Sequence, residues 1–280
     1  MDTPGVSKHL ELENVTLHYL DYGGGGSCNI VLLHGGGANA HWFDWVGPLL
    51  ARRCRVLALD LRGHGDSSWA DPPVYTYDAY MDDIGALLDV EHIKTAVFMG
   101  HSMGGMLLVR YIDTRPQEAG ALVVCDAMLG YSDEITGHLR QIGYREGKEY
   151  ATMDDYIAHY RLRPEGWRFP QGVRYHIASN SARQLSNSRW AHKIDRRTYE
   201  QREVIDTRPF WSRIKCPVLV LQPEYNSIFS DANKEYIKET CPQVEFNVIA
   251  GAGHHLILDQ PEQISTLVME FLEQYRLFQD

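Results

Sequence analysis

The sequence lacks three features that would each indicate a particular class of protein. No apolar run approaches the roughly 20 residues that span a bilayer, so no membrane contact is expected. Acidic residues outnumber basic ones, and the net charge of −10 argues against a nucleic-acid partner. The five cysteines are odd in number and show no C-x-x-C spacing, so neither a disulfide framework nor a zinc site is expected.

Other absences concern targeting and cofactors. The polar N-terminus lacks the apolar core of a secretory signal, so a cytoplasmic location is expected. The glycine run over 23–26 lacks the Lys-Ser/Thr of a phosphate-binding loop, and no dinucleotide fingerprint occurs, so no cofactor or metal is implied. The 280 residues, 44% of them hydrophobic, suffice for one large α/β core with an insertion. Nothing in the sequence indicates an oligomeric state.

One serine stands between an apolar strand-like run and an apolar helix-like run. The first run stops at Gly100 and the second begins at Met103, with G-H-S-M-G spanning the junction and Ser102 at its centre. This matches G-x-S-x-G, the nucleophile elbow of a strand-to-helix turn. Gly100 and Gly104 suit so sharp a turn, because side chains there would collide with the neighbouring backbone. The pattern predicts that Ser102 is a nucleophile.

A second glycine-rich loop, H-G-G-G at 34–37, directly follows a short apolar strand at 29–33. Such a loop presents backbone N–H groups to a ligand, and we expect those of Gly36 and Met103 to bind a developing oxyanion. Trp42 follows in the next predicted helix, where packing in the core explains it as well as a pocket does. The candidates for substrate contact are Gly35, Gly37, Trp42 and His101.

Strand-like and helix-like segments alternate along most of the chain. After an N-terminal hairpin, this alternation predicts a mostly parallel sheet covered by helices on both faces. Strands are predicted at 29–33, 55–60, 94–100, 119–125, 216–221 and 244–249, and helices at 40–51, 77–88, 103–114, 231–240 and from Pro261 onwards.

Residues 127–214 interrupt that alternation. They show no clear strand and are rich in arginine, tyrosine and tryptophan, which predicts a helical cap or lid inserted into a core of residues 1–126 and 215–280. The arginines of this segment would suit a substrate with an acidic group, although pairing with its own acids explains them better. They include Arg161, Arg163, Arg168, Arg174 and Arg183.

The loop Asp60-Leu61-Arg62-Gly63-His64-Gly65-Asp66-Ser67-Ser68 also carries polar groups. We interpret it as structural, with Asp60 and Arg62 pairing locally. A better-placed histidine, His254, occurs in the loop G-A-G-H-H before the last helix.

Together the elbow, the H-G-G-G loop, the D-L-R-G-H-G-D-S loop and the G-A-G-H-H loop resemble those of the α/β-hydrolase family. The resemblance covers nearly the whole chain in the right order and is loose only over 127–214, where family members carry a variable cap. It implies that His254, rather than His255, is the base that activates Ser102.

The acid of the predicted triad departs from the family pattern. Most members carry it in a G-x-x-D loop after the strand that ends here at Leu221, but this chain has Asn226 in that place. Asp126 follows the next strand after the elbow, where the haloalkane dehalogenases place their acid, and it satisfies the order Ser…Asp…His. Asp126 is therefore the predicted acid, and Glu224 is the alternative.

These residues predict a serine hydrolase that cleaves a small carboxylic ester through an acyl-enzyme, with water as the second substrate. A lactonase, a thioesterase or a carbon–carbon bond hydrolase would use the same groups. A ligand-binding receptor or pseudoenzyme on the same fold is the alternative of another class, and Asn226 alone favours it.

Overall fold

The computed structural model describes residues 4–163, 171–225 and 227–277. In chain order, its strands are β1 (Val6–Glu11), β2 (Thr16–Gly23), β3 (Asn29–Leu33), β4 (Arg55–Leu59), β5 (Ala96–His101), β6 (Ala119–Cys125), β7 (Gly130–Tyr131), β8 (Ala182–Gln184), β9 (Trp190–His192), β10 (Ile205–Asp206), β11 (Val218–Pro223) and β12 (Val244–Ile249).

The helices alternate with these strands as the sequence predicts outside the insertion. They are α1 (Gly47–Leu50), α2 (Tyr77–Val90), α3 (Met103–Thr114), α4 (Asp133–Tyr144), α5 (Met153–His159), α6 (Gln171–Asn180), α7 (Arg197–Glu200), α8 (Arg208–Trp211), α9 (Asp231–Thr240), α10 (Leu256–Asp259) and α11 (Pro261–Gln274). Within the described residues, none of them is both long and apolar enough to cross a membrane.

Among the described residues, eight strands form one sheet in the order β1-β2-β4-β3-β5-β6-β11-β12. The pairs β1/β2 and β2/β4 are antiparallel, and the strands from β4 to β12 in this order are parallel. The mostly parallel sheet predicted from the sequence is thus confirmed. Because the strands are parallel, the carboxyl ends of β3, β5, β6 and β11 lie at one edge, where binding sites of such sheets form.

Side chains alternate between the two faces of the sheet along each strand, and an apolar layer buries each face. In β3, Val31 and Leu33 join an apolar layer with α2 and α3, whereas Ile30 and Leu32 join the opposite layer with α1 and α11. Burial on both faces makes the strands read as continuous apolar runs. This packing fixes the strand ends that carry the site.

Two predictions about local structure are wrong. The single helix over 40–51 is instead a 3₁₀ turn at Ala40–Phe43 followed by the four-residue helix α1. Pro48 at the start of α1 lacks the N–H that a continuous helix needs. Residues 127–214 also contain two small antiparallel ladders, β7/β10 and β8/β9. Strands of two or three residues are too short to show alternation in the sequence.

In the loop 60–68, which the sequence predicted to be structural, the pairing of Asp60 and Arg62 differs from the expectation. Asp60 accepts a hydrogen bond from His18 Nδ1 at 2.7 Å. Arg62 instead donates from Nε and Nη2 to the carboxylate of Asp83 and from Nη1 to the carbonyl of Val74. Asp60 and Arg62 therefore do not pair with each other. His64 lies in this loop and forms an isolated β-bridge with Ile194 of the insertion. The loop thus connects the sheet to residues 127–214, which we call the insertion.

Candidate active site

Ser102 lies at the sharp turn between β5 and α3. Its backbone has φ 53° and ψ −118°, a region that non-glycine residues rarely adopt and that costs about 1–3 kcal/mol. The two flanking glycines make the turn possible. A Cβ at Gly100 would come within 2.5 Å of the Gly104 carbonyl carbon, and one at Gly104 would come within 2.4 Å of the Leu33 oxygen. This is the crowding that the elbow pattern predicts.

The H-G-G-G loop passes directly against the elbow. A Cβ at Gly35 would lie 3.1 Å from His101 Nδ1 and 3.2 Å from Ser102 Cβ, and one at Gly36 would lie 3.7 Å from the Met103 sulfur. Met103 is the first residue of α3, so its N–H has no intrahelical acceptor and the positive end of the helix dipole lies there. The loops that carry Gly36 and Met103 are therefore adjacent.

His254 and Asp126 form a buried hydrogen-bonded pair. His254 Nδ1 donates to Asp126 Oδ2 at 2.7 Å, with the histidine 7% exposed and the aspartate fully buried. Asp126 itself has φ 43° directly after β6. Its carboxylate also accepts from Ser227 Oγ at 2.6 Å and from Ile228 N at 3.3 Å. These donors hold the carboxylate in place, so that it orients the imidazole of His254.

The alternative acid lies elsewhere. Glu224 is exposed, and its Oε2 accepts a hydrogen bond from Gly251 N at 2.8 Å. Its partner is thus the backbone of the loop that precedes His254, whereas the imidazole faces Asp126. Asn226, the residue at the usual acid position of the family, lies outside the described residues.

The remaining candidates for substrate contact pack around this pair. His101 is buried, its Nε2 donates to the His254 carbonyl at 2.8 Å, and its ring lies 6.0 Å from that of Trp42. Gly37 has φ 74°, and its carbonyl accepts from His192 Nε2 of the insertion at 3.0 Å. These contacts are with the protein, and substrate contact by these residues stays a prediction.

Burial determines the protonation of His101. Desolvation, followed by the neighbouring imidazoles of His254 and His255, lowers the pKa of His101 well below its ordinary value. His101 is therefore neutral near pH 7 and supports the His254 loop through a hydrogen bond rather than through charge.

Among the residues that the structure describes, three groups of side chains lie close enough together to share a metal ion, with ligand atoms within 4.8 Å of one another. One of them contains the candidate base, so an ion bound there would compete with its proton. In the other two, imidazole and carboxylate already bond to each other. The groups are His101/His254/His255, His41/Asp44/His176 and His18/Asp60/Asp66.

Three of the arginines that the sequence singled out in the insertion, Arg161, Arg174 and Arg183, contact carbonyls or an aromatic ring in the described part of the chain. Arg161 and Arg174 both donate to the carbonyls of Ala158 and Tyr160. Arg183 stacks on Trp69 of the core, with its guanidinium carbon 4.3 Å from the ring centroid. Arg168 lies outside the described residues. Within the described residues, Arg161, Arg174 and Arg183 therefore do not show the expected pairing with the insertion's acids.

Sequence reasoning missed two residues of the site. Ser227 donates to Asp126, and its position just beyond β11, at the carboxyl edge of the sheet, could have indicated it. Arg202 is buried beside Met103 and Gly36, and no local motif distinguishes it from the other arginines of the insertion.

A cavity lined mostly by residues of the insertion is separate from these residues. It measures about 440 Å³ and is lined mainly by residues 128–133 and 204–208. Neither Ser102 nor His254 lines it, so the catalytic candidates do not depend on it.

Comparisons with known proteins identify the family and the fold of the chain. The AB hydrolase superfamily protein YisY of Bacillus subtilis is 27% identical over 92% of this chain and 96% of its own. Esterase Rv0045c of Mycobacterium tuberculosis is 25% identical over 89% and 84%. The structure of E-2-(acetamidomethylene)succinate hydrolase superposes with a TM-score of 0.83 at 21% identity, covering 96% of this chain and 99% of that one, which shows a shared fold. The family model for the alpha/beta hydrolase fold matches residues 29–261, and the chain belongs to that family.

Proposed function

We propose that the protein is a serine hydrolase that cleaves a small carboxylic ester through an acyl-enzyme. His254 takes the proton of Ser102 as its oxygen attacks the ester carbonyl, and the N–H groups of Gly36 and Met103 bind the resulting oxyanion. The protonated His254 then gives its proton to the departing alcohol. Water, activated by the same imidazole, hydrolyses the acyl-serine and releases the acid.

One observation carries this proposal: the buried hydrogen bond of 2.7 Å between His254 Nδ1 and Asp126 Oδ2. It leaves Nε2 as the nitrogen that accepts a proton, which is the tautomer a general base needs. A negative carboxylate behind the ring also stabilises the imidazolium formed during the reaction. The esterase name of the mycobacterial relative supports the same chemistry.

We further propose that the insertion covers the site as a lid. His192 of the insertion bonds to the carbonyl of Gly37, and Lys193 pairs with Asp66 at 2.7 Å. These contacts join the insertion to the oxyanion loop and to the loop 60–68, which supports a lid at this place. A segment held there determines which substrates reach Ser102.

A fluorophosphonate probe tests the proposed nucleophile, because such probes phosphonylate an activated serine and release fluoride. We expect stoichiometric labelling on the peptide that contains Ser102, and turnover of short p-nitrophenyl esters by the wild-type protein. Ser102→Ala should lose both while retaining its circular dichroism spectrum. Ser212→Ala, a serine of the insertion outside the site, serves as the matched control. Unlabelled wild-type protein, or ester turnover that survives in Ser102→Ala, would refute the proposal.

A further inference from the structure

Arg202 is a buried cation placed against both oxyanion loops. It follows α7 in the insertion and is 3% exposed. One terminal nitrogen donates to the sulfur of Met103, and the other lies 4.0 Å from where a Cβ on Gly36 would stand. The guanidinium is therefore next to the two residues whose N–H groups are proposed to hold the oxyanion.

The charge of Arg202 has no anionic partner within the described residues. Its Nε forms no hydrogen bond, and the groups that act on it most strongly after burial are tyrosine hydroxyls. A buried charge is expensive unless it is paired, so an unpaired guanidinium in a native site indicates a missing anion. The tyrosines are Tyr77, Tyr80, Tyr131 and Tyr199.

Two neighbouring polar atoms are also without partners. The hydroxyl of Tyr80 and Nε2 of His64 are buried and form no hydrogen bond in the described part of the chain. Burial, together with the charges nearby, lowers the pKa of His64 well below its ordinary value, so this imidazole is neutral. Arg202 thus supplies the positive charge of the cluster, and Tyr80 supplies a further donor.

Contacts on both sides hold Arg202 in position. Gln201 accepts from Tyr75 N at 3.0 Å and donates to the Pro73 carbonyl at 3.1 Å. Glu203 accepts from Tyr77 N at 2.7 Å, at the start of α2. With its two neighbours bound to the core, the backbone at Arg202 is held close to the oxyanion loops. The guanidinium is preorganised, which favours recognition of a fixed anion.

We propose that Arg202, with the hydroxyl of Tyr80, binds a carboxylate on the acyl part of the substrate, so that the preferred substrates are monoesters of short dicarboxylic acids. This inference rests on the proposed function. Because the guanidinium lies beside the oxyanion loops, the carboxylate must be only a few bonds from the ester carbonyl that Ser102 attacks. Arginine suits this role because its planar fork binds a carboxylate through two parallel hydrogen bonds.

The first test compares the monomethyl and dimethyl esters of malonic, succinic and glutaric acids with the wild-type enzyme. The two esters of one acid differ by a methyl group and a charge. We expect kcat/KM to favour the monoester by at least about tenfold for one chain length, as a single charged hydrogen bond would give. Equal or lower values for all three monoesters would overturn the inference. Hydrolysis of the diesters alone would leave the proposed hydrolase activity intact.

The second test replaces the guanidinium. In Arg202→Met, we expect the ratio of kcat/KM for monoester over diester to fall by about tenfold or more, to a value near one, because the charged contact with the carboxylate is lost. Arg202→Lys should lose most of the preference as well, because the ammonium keeps the charge but lacks the fork. Arg213→Met is the control, since Arg213 is half exposed and pairs with Asp113. Equal losses on both ester types would instead assign Arg202 to the oxyanion.

A binding measurement separates this inference from the proposed function. Calorimetry can measure how Ser102→Ala binds the free dicarboxylates, which carry the proposed carboxylate but no ester to be cleaved. Binding that Ser102→Ala shows and Ser102→Ala/Arg202→Met loses supports the anion site even if no ester is hydrolysed. Equal affinity of the two proteins for every diacid would overturn it.

Arg202→Met removes an unpaired buried charge, so a melting temperature at or above that of wild type is expected.

Discussion

At the scale of single residues, the candidate site depends on two residues whose backbone has a positive φ. Ser102 has φ 53° and Asp126 has φ 43°, each at the carboxyl end of a parallel strand. Backbone hydrogen bonds to neighbouring strands hold both residues in these conformations. Ser102 N donates to the Cys125 carbonyl at 3.0 Å, and Asp126 N donates to that of Leu221 at 2.9 Å. The strained turns therefore present the hydroxyl and the carboxylate at the same edge of the sheet.

The identity of the acid is tested by paired substitutions. We expect Asp126→Asn to lower kcat by about 10⁴-fold, because an asparagine neither stabilises the imidazolium nor fixes the tautomer of His254. Asparagine tolerates positive φ, so the turn should survive. Glu224→Gln, the matched carboxylate-to-amide control, should retain kcat, since Glu224 bonds to Gly251 N. Ester kinetics of the two variants measure the difference, and the reverse ranking would contradict the assignment.

The sequence predicted part of the site because that part depends on local backbone chemistry. Ser102 and the glycines around it follow a pattern that any elbow must satisfy, and strand order placed Asp126 and His254 at one edge. Arg202 could not be predicted in this way. Its contacts with Met103 and Gly36 join residues far apart in the chain, so they depend on how the insertion folds back onto the core.

At the scale of elements, length decided which predictions succeeded. Helix α3 and strand β6 have the predicted bounds, because an apolar run or stripe of that length has a clear period. Shorter elements differ from the prediction. The 3₁₀ turn and α1 replace one helix, and β7 to β10 occur where no strand was expected. Hydrogen bonds between distant segments form those small ladders, and their sequences carry no signal of it.

One of the insertion's helices is joined to the core by a partly buried hydrogen bond to a carboxylate. His176 of α6 donates a hydrogen bond from Nε2 to Asp44 Oδ2 at 2.6 Å. The carboxylate of Asp44 also accepts hydrogen bonds from His41 Nδ1 and from the hydroxyl of Tyr22. Although burial opposes it, hydrogen bonds from His176 and His41 lower the pKa of Asp44 to about 2. Since this pKa is depressed, the stabilisation is present above about pH 4 and is lost as the pH falls toward 2.

We therefore expect His176→Ala to loosen α6 selectively at neutral pH. Loss of a charge-assisted hydrogen bond should cost about 1–2 kcal/mol of local stability and speed amide exchange over 171–180 roughly tenfold. Hydrogen exchange followed by mass spectrometry measures this. The control is His159→Ala, because His159 Nδ1 donates to Asp155 O within its own helix. Unchanged exchange in His176→Ala would show that other contacts hold α6.

At the scale of the whole molecule, the insertion and the core are one packed unit. Residues 193–203 of the insertion bond to the loop 60–68 and to the start of α2, and Thr207 N donates to the Leu129 carbonyl at the base of the insertion. Residues far from Ser102 in sequence therefore shape its surroundings. A group whose pKa changes on folding makes the stability of this whole unit depend on pH.

Asp259 is such a group, and it makes the stability of the molecule depend on pH. Burial raises its pKa to about 6, with Gly253 N donating to Oδ2 at 2.8 Å and Oδ1 lacking a partner among the described residues. Because the pKa is raised on folding, the stabilisation present below about pH 4 is lost as the pH rises to about 6. Partial exposure screens this effect to about 1 kcal/mol.

Asp259→Asn should remove that dependence, since the amide oxygen can still accept from Gly253 while no charge forms. We expect the variant to gain stability relative to wild type as the pH rises: the difference in unfolding free energy, variant minus wild type, should be about 1 kcal/mol larger at pH 7.5 than at pH 4.5. Urea titrations of both proteins at the two pH values give this double difference, in which the titration of all other groups cancels. Asp231→Asn, an exposed aspartate at the start of α9, is the matched control and should show no such difference. A double difference of zero for Asp259→Asn would mean that the carboxylate is already well solvated in the folded protein.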